Sequence, residues 1–300
     1  MAFNRQKVIT LALGQGGRLF PSLAGRLAFD LFCRTDNPSK PGRGMAGAIA
    51  RNAPLMQGAH TIRVQTSGGW VAVHWFAARS PLKGRALVIH GWHSRTDLMA
   101  PMIKRLTQEG WAVAAVDLPG HGQSSGRSLN VKLGVEALAI IDESFGPFEL
   151  AVGHSFGGVV AVNAAVGGIK GFEPVPFGRL AIIASPNSMP KLFGRAGEHM
   201  GLRATAQAAF EARVEFVAGH RLDTFVMAEQ LKRFDGNVMV IHAPDDREVP
   251  FEGAEAMAGA GGHVTLLPIP GLGHRRIIAD EKVFLALCEF ASNRPVSVAA

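Results

Sequence analysis

A serine, a carboxylate and a histidine stand in this 300-residue chain where they could act together on an acyl carbonyl. The serine is Ser155, in Gly153-His154-Ser155-Phe156-Gly157, set between an apolar run at 148–152 and a small-residue stretch at 158–165. That order reads as a strand, a sharp turn and a helix, with the hydroxyl held out at the apex. The glycines two before and two after the serine remove Cβ atoms that would clash in so tight a turn. Alone the pentapeptide is weak evidence, since 36 glycines and 14 serines give about 0.2 matches by chance in such a chain. A serine nucleophile further needs a base, an acid to orient the base, and donors for the developing oxyanion. An apolar run at 238–241 leads into His242-Ala243-Pro244-Asp245-Asp246-Arg247-Glu248-Val249-Pro250, which supplies carboxylates just past a strand end. A later strand leads to Pro270-Gly271-Leu272-Gly273-His274, a histidine on a glycine-rich loop. The chain order is serine, acid, histidine.

The elements that must position these groups follow from the apolar pattern. Strands are expected at 61–65, 71–76, 86–90, 112–117, 148–153, 180–184, 238–242 and 264–268. The first two alternate around Ser67-Gly68-Gly69 as in a hairpin, and the later ones are near-continuous apolar runs, the mark of parallel strands buried on both faces. Helical patterns fill the gaps at 98–108, 131–143, 157–166, 252–260 and 281–291. Between Pro186 and Gly236 lie some 50 residues rich in helix formers and without a strand signal. A crossover needs only about a dozen residues, so this segment is expected to hold several helices forming a cap over the sheet's carboxyl edge.

Four motifs at these expected strand ends resemble the α/β-hydrolase superfamily, over about residues 60–291. They are the serine turn, the His90-Gly91-Trp92 loop, the Asp117-Leu118-Pro119-Gly120-His121-Gly122-Gln123-Ser124 turn, and the loop from His242 to Pro250, where Ala243 replaces the family's glycine. With Gly273-His274-Arg275-Arg276 the pattern is similar to a bacterial subset of esterases whose substrates are poorly defined. The resemblance implies an α/β fold with a mostly parallel eight-stranded sheet flanked by helices and a helical cap. It implies a core at 60–188 and 237–300, a cap at 189–236, and an N-terminal extension with linker at 1–59. It places the acid at Asp246, with Ser155 as nucleophile and His274 as base, and the oxyanion donors at the backbone N–H groups of Trp92 and Phe156. His154 and Asp117 are read as turn-packing, hydrogen-bonding residues.

The expected activity is cleavage of a carboxylic ester of small to medium acyl chain through an acyl-enzyme, with no cofactor and no metal. His93, His121 and His242 fall near strand ends, where a metal site is conceivable, yet His90-Gly91-Trp92-His93 lacks the carboxylate-bearing spacing of a metallohydrolase. Thioesterase, acyltransferase and carbon–carbon bond hydrolase chemistry would use the same three residues, and a ligand-binding protein that keeps the fold is the rival from another class. A serine at the turn argues against the dehalogenase and epoxide hydrolase branches, which place aspartate there. The chain has no tyrosine, which excludes the tyrosine-hydroxyl oxyanion donor of some peptidases of the superfamily.

Composition sets the remaining bounds. Hydrophobic residues make up 47% and charged residues 18%, as in a globular chain with one sizeable core. The two cysteines, Cys33 and Cys288, are far apart and form no disulfide framework, so a reducing cytoplasm is the expected compartment. A short apolar patch after Arg5 and Lys7 raises secretion as an alternative. Of the net charge of +7, +6 falls in residues 1–60, and no basic stripe with stacking aromatics suggests nucleic acid. Leu19, Leu23, Leu27 and Leu31 recur every four residues there, with Arg18, Ser22, Arg26, Asp30 and Arg34 as the opposing stripe. Two readings of this amphipathic helix are open: docking on the main domain, or peripheral membrane contact through residues 16–34. A Pro/Gly-rich connector is expected from Asn37 to about His60. Oligomeric state is not legible.

Overall fold

The computed structural model describes residues 17–292. The apolar patch after Arg5 and Lys7 lies outside them. The chain divides into two compact units, Met1–Arg34 with Ser188–Val226, and Thr35–Asn187 with Met227–Ala300.

The larger unit is built on one eight-stranded sheet: β1 (His60–Thr66), β2 (Gly69–Phe76), β3 (Gly84–Ile89), β4 (Trp111–Asp117), β5 (Leu150–His154), β6 (Arg179–Ile183), β7 (Asn237–His242) and β8 (Val264–Pro268). Their order is β1-β2-β4-β3-β5-β6-β7-β8. β2 pairs antiparallel with β1 and β4, and every other pairing is parallel. The parallel strands are continuous apolar runs because both faces are covered: in β3, Leu87 and Ile89 are as buried as Ala86 and Val88. One face packs on Met99, Met102, Ile103 and Leu106 of a helix at Thr96–Gln108, and on Val283, Phe284 and Leu287 of a helix at Glu281–Ala291.

Numbered in chain order, the helices of both units are α1 (Pro21–Cys33), α2 (Arg43–Met56), α3 (Thr96–Gln108), α4 (Val131–Phe145), α5 (Phe156–Ala165), α6 (Met189–His199), α7 (Ala204–Ala218), α8 (Met227–Leu231), α9 (Glu252–Ala258), α10 (Gly273–Arg276) and α11 (Glu281–Ala291).

The segment expected as a Pro/Gly-rich connector contains α2. Alanines after Gly42 favour the helix, and Pro54 interrupts its hydrogen-bond ladder only in the last turn. The Asn52 side chain donates to the Asp97 carbonyl at 2.8 Å, tying α2 to α3, and the Thr35 N–H donates to the Arg127 carbonyl at 3.1 Å. Residues 35–59 therefore belong to the sheet unit, not to a separate extension.

In the smaller unit α1 packs with α7, and α6 and α7 complete the group. The segment expected as a cap at 189–236 contributes only its part up to Val226, because α8 is tied to the sheet unit. There Ala228 N–H donates to the Asn187 side chain at 2.8 Å and Gln230 to Asn163 at 2.9 Å. The leucine stripe of α1 does not face inward. Ala24, Gly25, Ala28 and Phe29 are buried, while Leu19, Leu23 and Leu27 are exposed and Leu31 is half-buried. The polar stripe lies beside the leucines on the outer surface, since residues one position apart are only about 100° apart around a helix.

Candidate active site

The candidate residues all belong to the sheet unit, at the carboxyl ends of its parallel strands. Ser155 joins the end of β5 to the start of α5 with φ 52° and ψ −122°, a backbone conformation that an L-residue holds only under constraint. The constraint is local. Ser155 N–H donates to the Ile183 carbonyl of neighbouring β6 at 2.8 Å, and the Gly158 N–H donates back to Ser155 O at 3.0 Å. A Cβ on Gly153 would lie 2.5 Å from Gly158 Cα, and one on Gly157 would lie 2.4 Å from the Ile89 carbonyl oxygen. The turn closes only because both positions lack one.

Ser155 Oγ lies 3.1 Å from His274 Nε2, and His274 Nδ1 lies 2.8 Å from Asp246 Oδ2. With Nδ1–H donating to the carboxylate, Nε2 carries the lone pair that accepts from the serine hydroxyl. Asp246 is fixed in turn: its Oδ1 accepts the N–H groups of Glu248 at 2.8 Å and Val249 at 2.9 Å. Burial alone would raise the Asp246 carboxyl, but the hydrogen bonds from His242, His274 and the two amides hold it well below the usual range. It is therefore anionic wherever the imidazole needs a partner. The adjacent Asp245 does other work, accepting the Gly271 N–H at 2.7 Å and so anchoring the histidine's loop.

Two further histidines support His274 and Asp246. His154 Nε2–H donates to the His274 backbone carbonyl at 3.0 Å. Burial, followed by the nearby His274, pushes its pKa down to about 3, so it stays neutral. His242 is buried with Nε2 3.1 Å from the Val249 carbonyl and 3.4 Å from Asp246 Oδ2. From sequence, His154 is assigned hydrogen bonding and His242 stands as the first residue of the acid-bearing motif, without a role; the structure turns it onto Val249 and Asp246 of that same motif.

The loop after β3 presses on the serine. A Cβ on Gly91 would come within 2.8 Å of Ser155 Cβ. Trp92 follows, its ring edge-on to Phe156 with centroids 4.9 Å apart, so the two residues expected to supply oxyanion donors are packed together. Phe156 opens α5, where the first N–H groups have no intrahelical partner.

Asp117 is a structural hub and lies apart from the serine. It accepts from Thr96 N–H and Gln123 N–H, both at 2.8 Å, and sits 3.1 Å from His74 Nε2, joining β2, β4 and α3. Burial opposes its charge, but His74, His90 and the Thr96 amide hold the carboxyl below the usual range. His93 and His121 share a hydrogen bond, and His242 is engaged elsewhere. His93 Nδ1 is 2.8 Å from Asp36, while His121 accepts the His93 N–H at 3.2 Å and donates to the Pro119 carbonyl at 3.0 Å.

Solved structures share this architecture. A membrane phospholipase A described as a bacterial virulence factor matches with TM-score 0.60 and 18% identity, covering 97% of this chain and 98% of that one. The butyrate-bound esterase Est2 from Thermogutta terrifontis matches with TM-score 0.60 and 16% identity, covering 79% and 95%. Est1E from Butyrivibrio proteoclasticus, with ferulic acid bound, matches with TM-score 0.61 and 18% identity, covering 77% and 96%. At such identities the likeness speaks for the fold. No curated protein sequence matches the chain significantly. The alpha/beta hydrolase family model matches residues 86–287, a span that runs from β3 through α11 and takes in the serine, the aspartate and the histidine; the chain belongs to that family.

Proposed function

We propose that the protein is a serine hydrolase that cleaves carboxylic esters of small to medium acyl chain through an acyl-enzyme. The observation that carries the reading is the hydrogen-bonded chain from Ser155 Oγ through His274 to Asp246, presented on a strained turn. In the first step Ser155 Oγ attacks the ester carbonyl as its proton passes to His274 Nε2, giving a tetrahedral oxyanion. Asp246 holds the imidazole in the tautomer that accepts this proton and stabilises the imidazolium that results. The Trp92 and Phe156 N–H groups are assigned to the oxyanion, where losing one such donor costs roughly 10² to 10³ in rate. The intermediate collapses, His274 returns the proton to the departing alkoxide, and the alcohol leaves an acyl group on Ser155. Water then repeats the sequence, releasing the carboxylic acid and the free serine.

The neighbour from Thermogutta terrifontis is an esterase, which favours esters, and the butyrate and ferulic acid bound in two neighbours are carboxylic acids, the class of product that acyl hydrolysis releases.

A fluorophosphonate probe tests the nucleophile: wild type should be labelled and Ser155→Ala should not, with ester turnover falling by about 10⁶. Failure of the wild type to label would sink the reading. An ester panel from acetyl to decanoyl, run beside a thioester and a peptide, reads out the acyl preference.

A further inference from the structure

The outer face of the smaller unit is a mixed surface of leucine and arginine. Leu19, Phe20, Leu23 and Leu27 are 77, 64, 56 and 51% exposed. Single exposed leucines are ordinary on a protein surface, but here four large apolar side chains fall within nine positions: Leu23 and Leu27 at i, i+4 on α1, and Leu19 and Phe20 just ahead of its first residue. The helix does not need that stripe for its own packing. It docks through Ala24, Gly25, Ala28 and Phe29, and Phe32 meets Phe193 with ring centroids 5.0 Å apart and Phe210 at 6.0 Å.

Beside the stripe stand Arg18, Ser22, Arg26, Asp30 and Arg34, all exposed, three of them cations and one an anion. Within its described residues the unit carries eight Lys/Arg against five Asp/Glu, a net +3. That charge selects the partner. A second copy would bring +3 against +3, whereas an anionic surface gains from every arginine beside the leucines. Among the described residues no helix is long and apolar enough to cross a membrane, and α1 has 13 residues, so the geometry available is that of a helix lying in the interface plane.

We infer that the outer face of α1 docks on an anionic phospholipid bilayer. Leu19, Phe20, Leu23 and Leu27 enter the boundary between headgroups and acyl chains, and Arg18, Arg26 and Arg34 lie among the phosphates. The inference does not depend on the reaction assigned to Ser155.

Vesicle flotation of the full chain tests it. The protein should float with vesicles of phosphatidylcholine containing phosphatidylglycerol and stay behind with phosphatidylcholine alone, and added salt should release it. Combined Leu19→Gln, Leu23→Gln and Leu27→Gln should lower partitioning about tenfold or more, as should Arg18→Glu with Arg26→Glu. These positions are exposed, so the thermal unfolding midpoint should match wild type and separate lost docking from lost folding. Absence of wild-type flotation, or equal flotation of the leucine variant, overturns the inference. So does a stable dimer in sedimentation that the leucine variant dissolves without any vesicle binding, which would make a second copy the occupant.

Discussion

Asp245 and Asp246 are the same residue type one position apart, and their hydrogen bonds divide the labour between them. Asp246 faces His274 Nδ1 at 2.8 Å, while Asp245 holds the Gly271 amide of the loop that carries His274. Replacing Asp246 by Asn keeps the shape but offers an amide where the imidazole needs an acceptor, so kcat should fall by about 10⁴. Asp245→Asn keeps an oxygen for the Gly271 amide and should stay within about tenfold of wild type. Steady-state kinetics on one soluble ester decides; loss of activity in Asp245→Asn alone would reverse the assignment. At this scale the sequence was highly legible. Ser155, Asp246 and His274 each sit in a short contiguous motif whose turn chemistry is local. The partner of His154 is less legible, because it is the His274 carbonyl 120 residues further on, after β8, whereas His242 reaches Asp246 and Val249 within its own loop.

The serine turn depends on a close approach between elements as well as on its own backbone. A Cβ on Gly157 would meet the carbonyl oxygens of Ile89 at 2.4 Å and His90 at 2.6 Å, both main-chain atoms of the strand end that carries the Trp92 loop. Neither can rotate away, so Gly157→Ala must push α5 from β3. The expected cost is about 1–3 kcal/mol of stability. Because the same displacement separates Ser155 and Phe156 from the Trp92 loop, kcat should fall by roughly 10². Denaturant unfolding and turnover measured on one preparation check both, and a variant equal to wild type in each would show that the turn has slack. The strands themselves were legible to within a residue or two at most ends, because burial on both faces leaves an uninterrupted apolar run with clear limits. α2 was not. Its glycines and Pro54 are the usual signs of a connector, and its helical alanines decide the matter only together with the packing on α3. The pairing of α1 with α7 was equally hidden, because it joins segments some 170 residues apart through small buried side chains, while the conspicuous leucines turned out to face outward.

For the molecule as a whole, the buried titratable groups of the sheet unit set how it tolerates acid. Burial, reinforced by neighbouring histidines, pushes His121 and His154 down to about 3 from an ordinary value of 6.5. In the unfolded chain both take up a proton below about pH 6.5, and in the native state neither does until about pH 3. The unfolded state therefore binds more protons across that window, and stability falls as the pH is lowered through it. Asp117 and Asp246 act in the same direction further down. Their native carboxyls lie below the ordinary value of 3.8, so the stabilisation they give is present above that value and is lost as pH falls past it. The melting temperature should thus be highest near neutrality, decline from about pH 6.5, and steepen below about pH 4 as the carboxylates join. Circular dichroism melts at intervals from pH 7.5 to pH 3.5 measure the curve. His121→Gln can still donate to the Pro119 carbonyl and accept the His93 amide but carries no titrating group, so its curve should be shallower between pH 6.5 and pH 4 even where its neutral-pH stability is lower. A wild-type melting temperature that stays level from pH 7 to pH 4.5 would mean that these histidines protonate in the native state and are more open to water than their burial indicates.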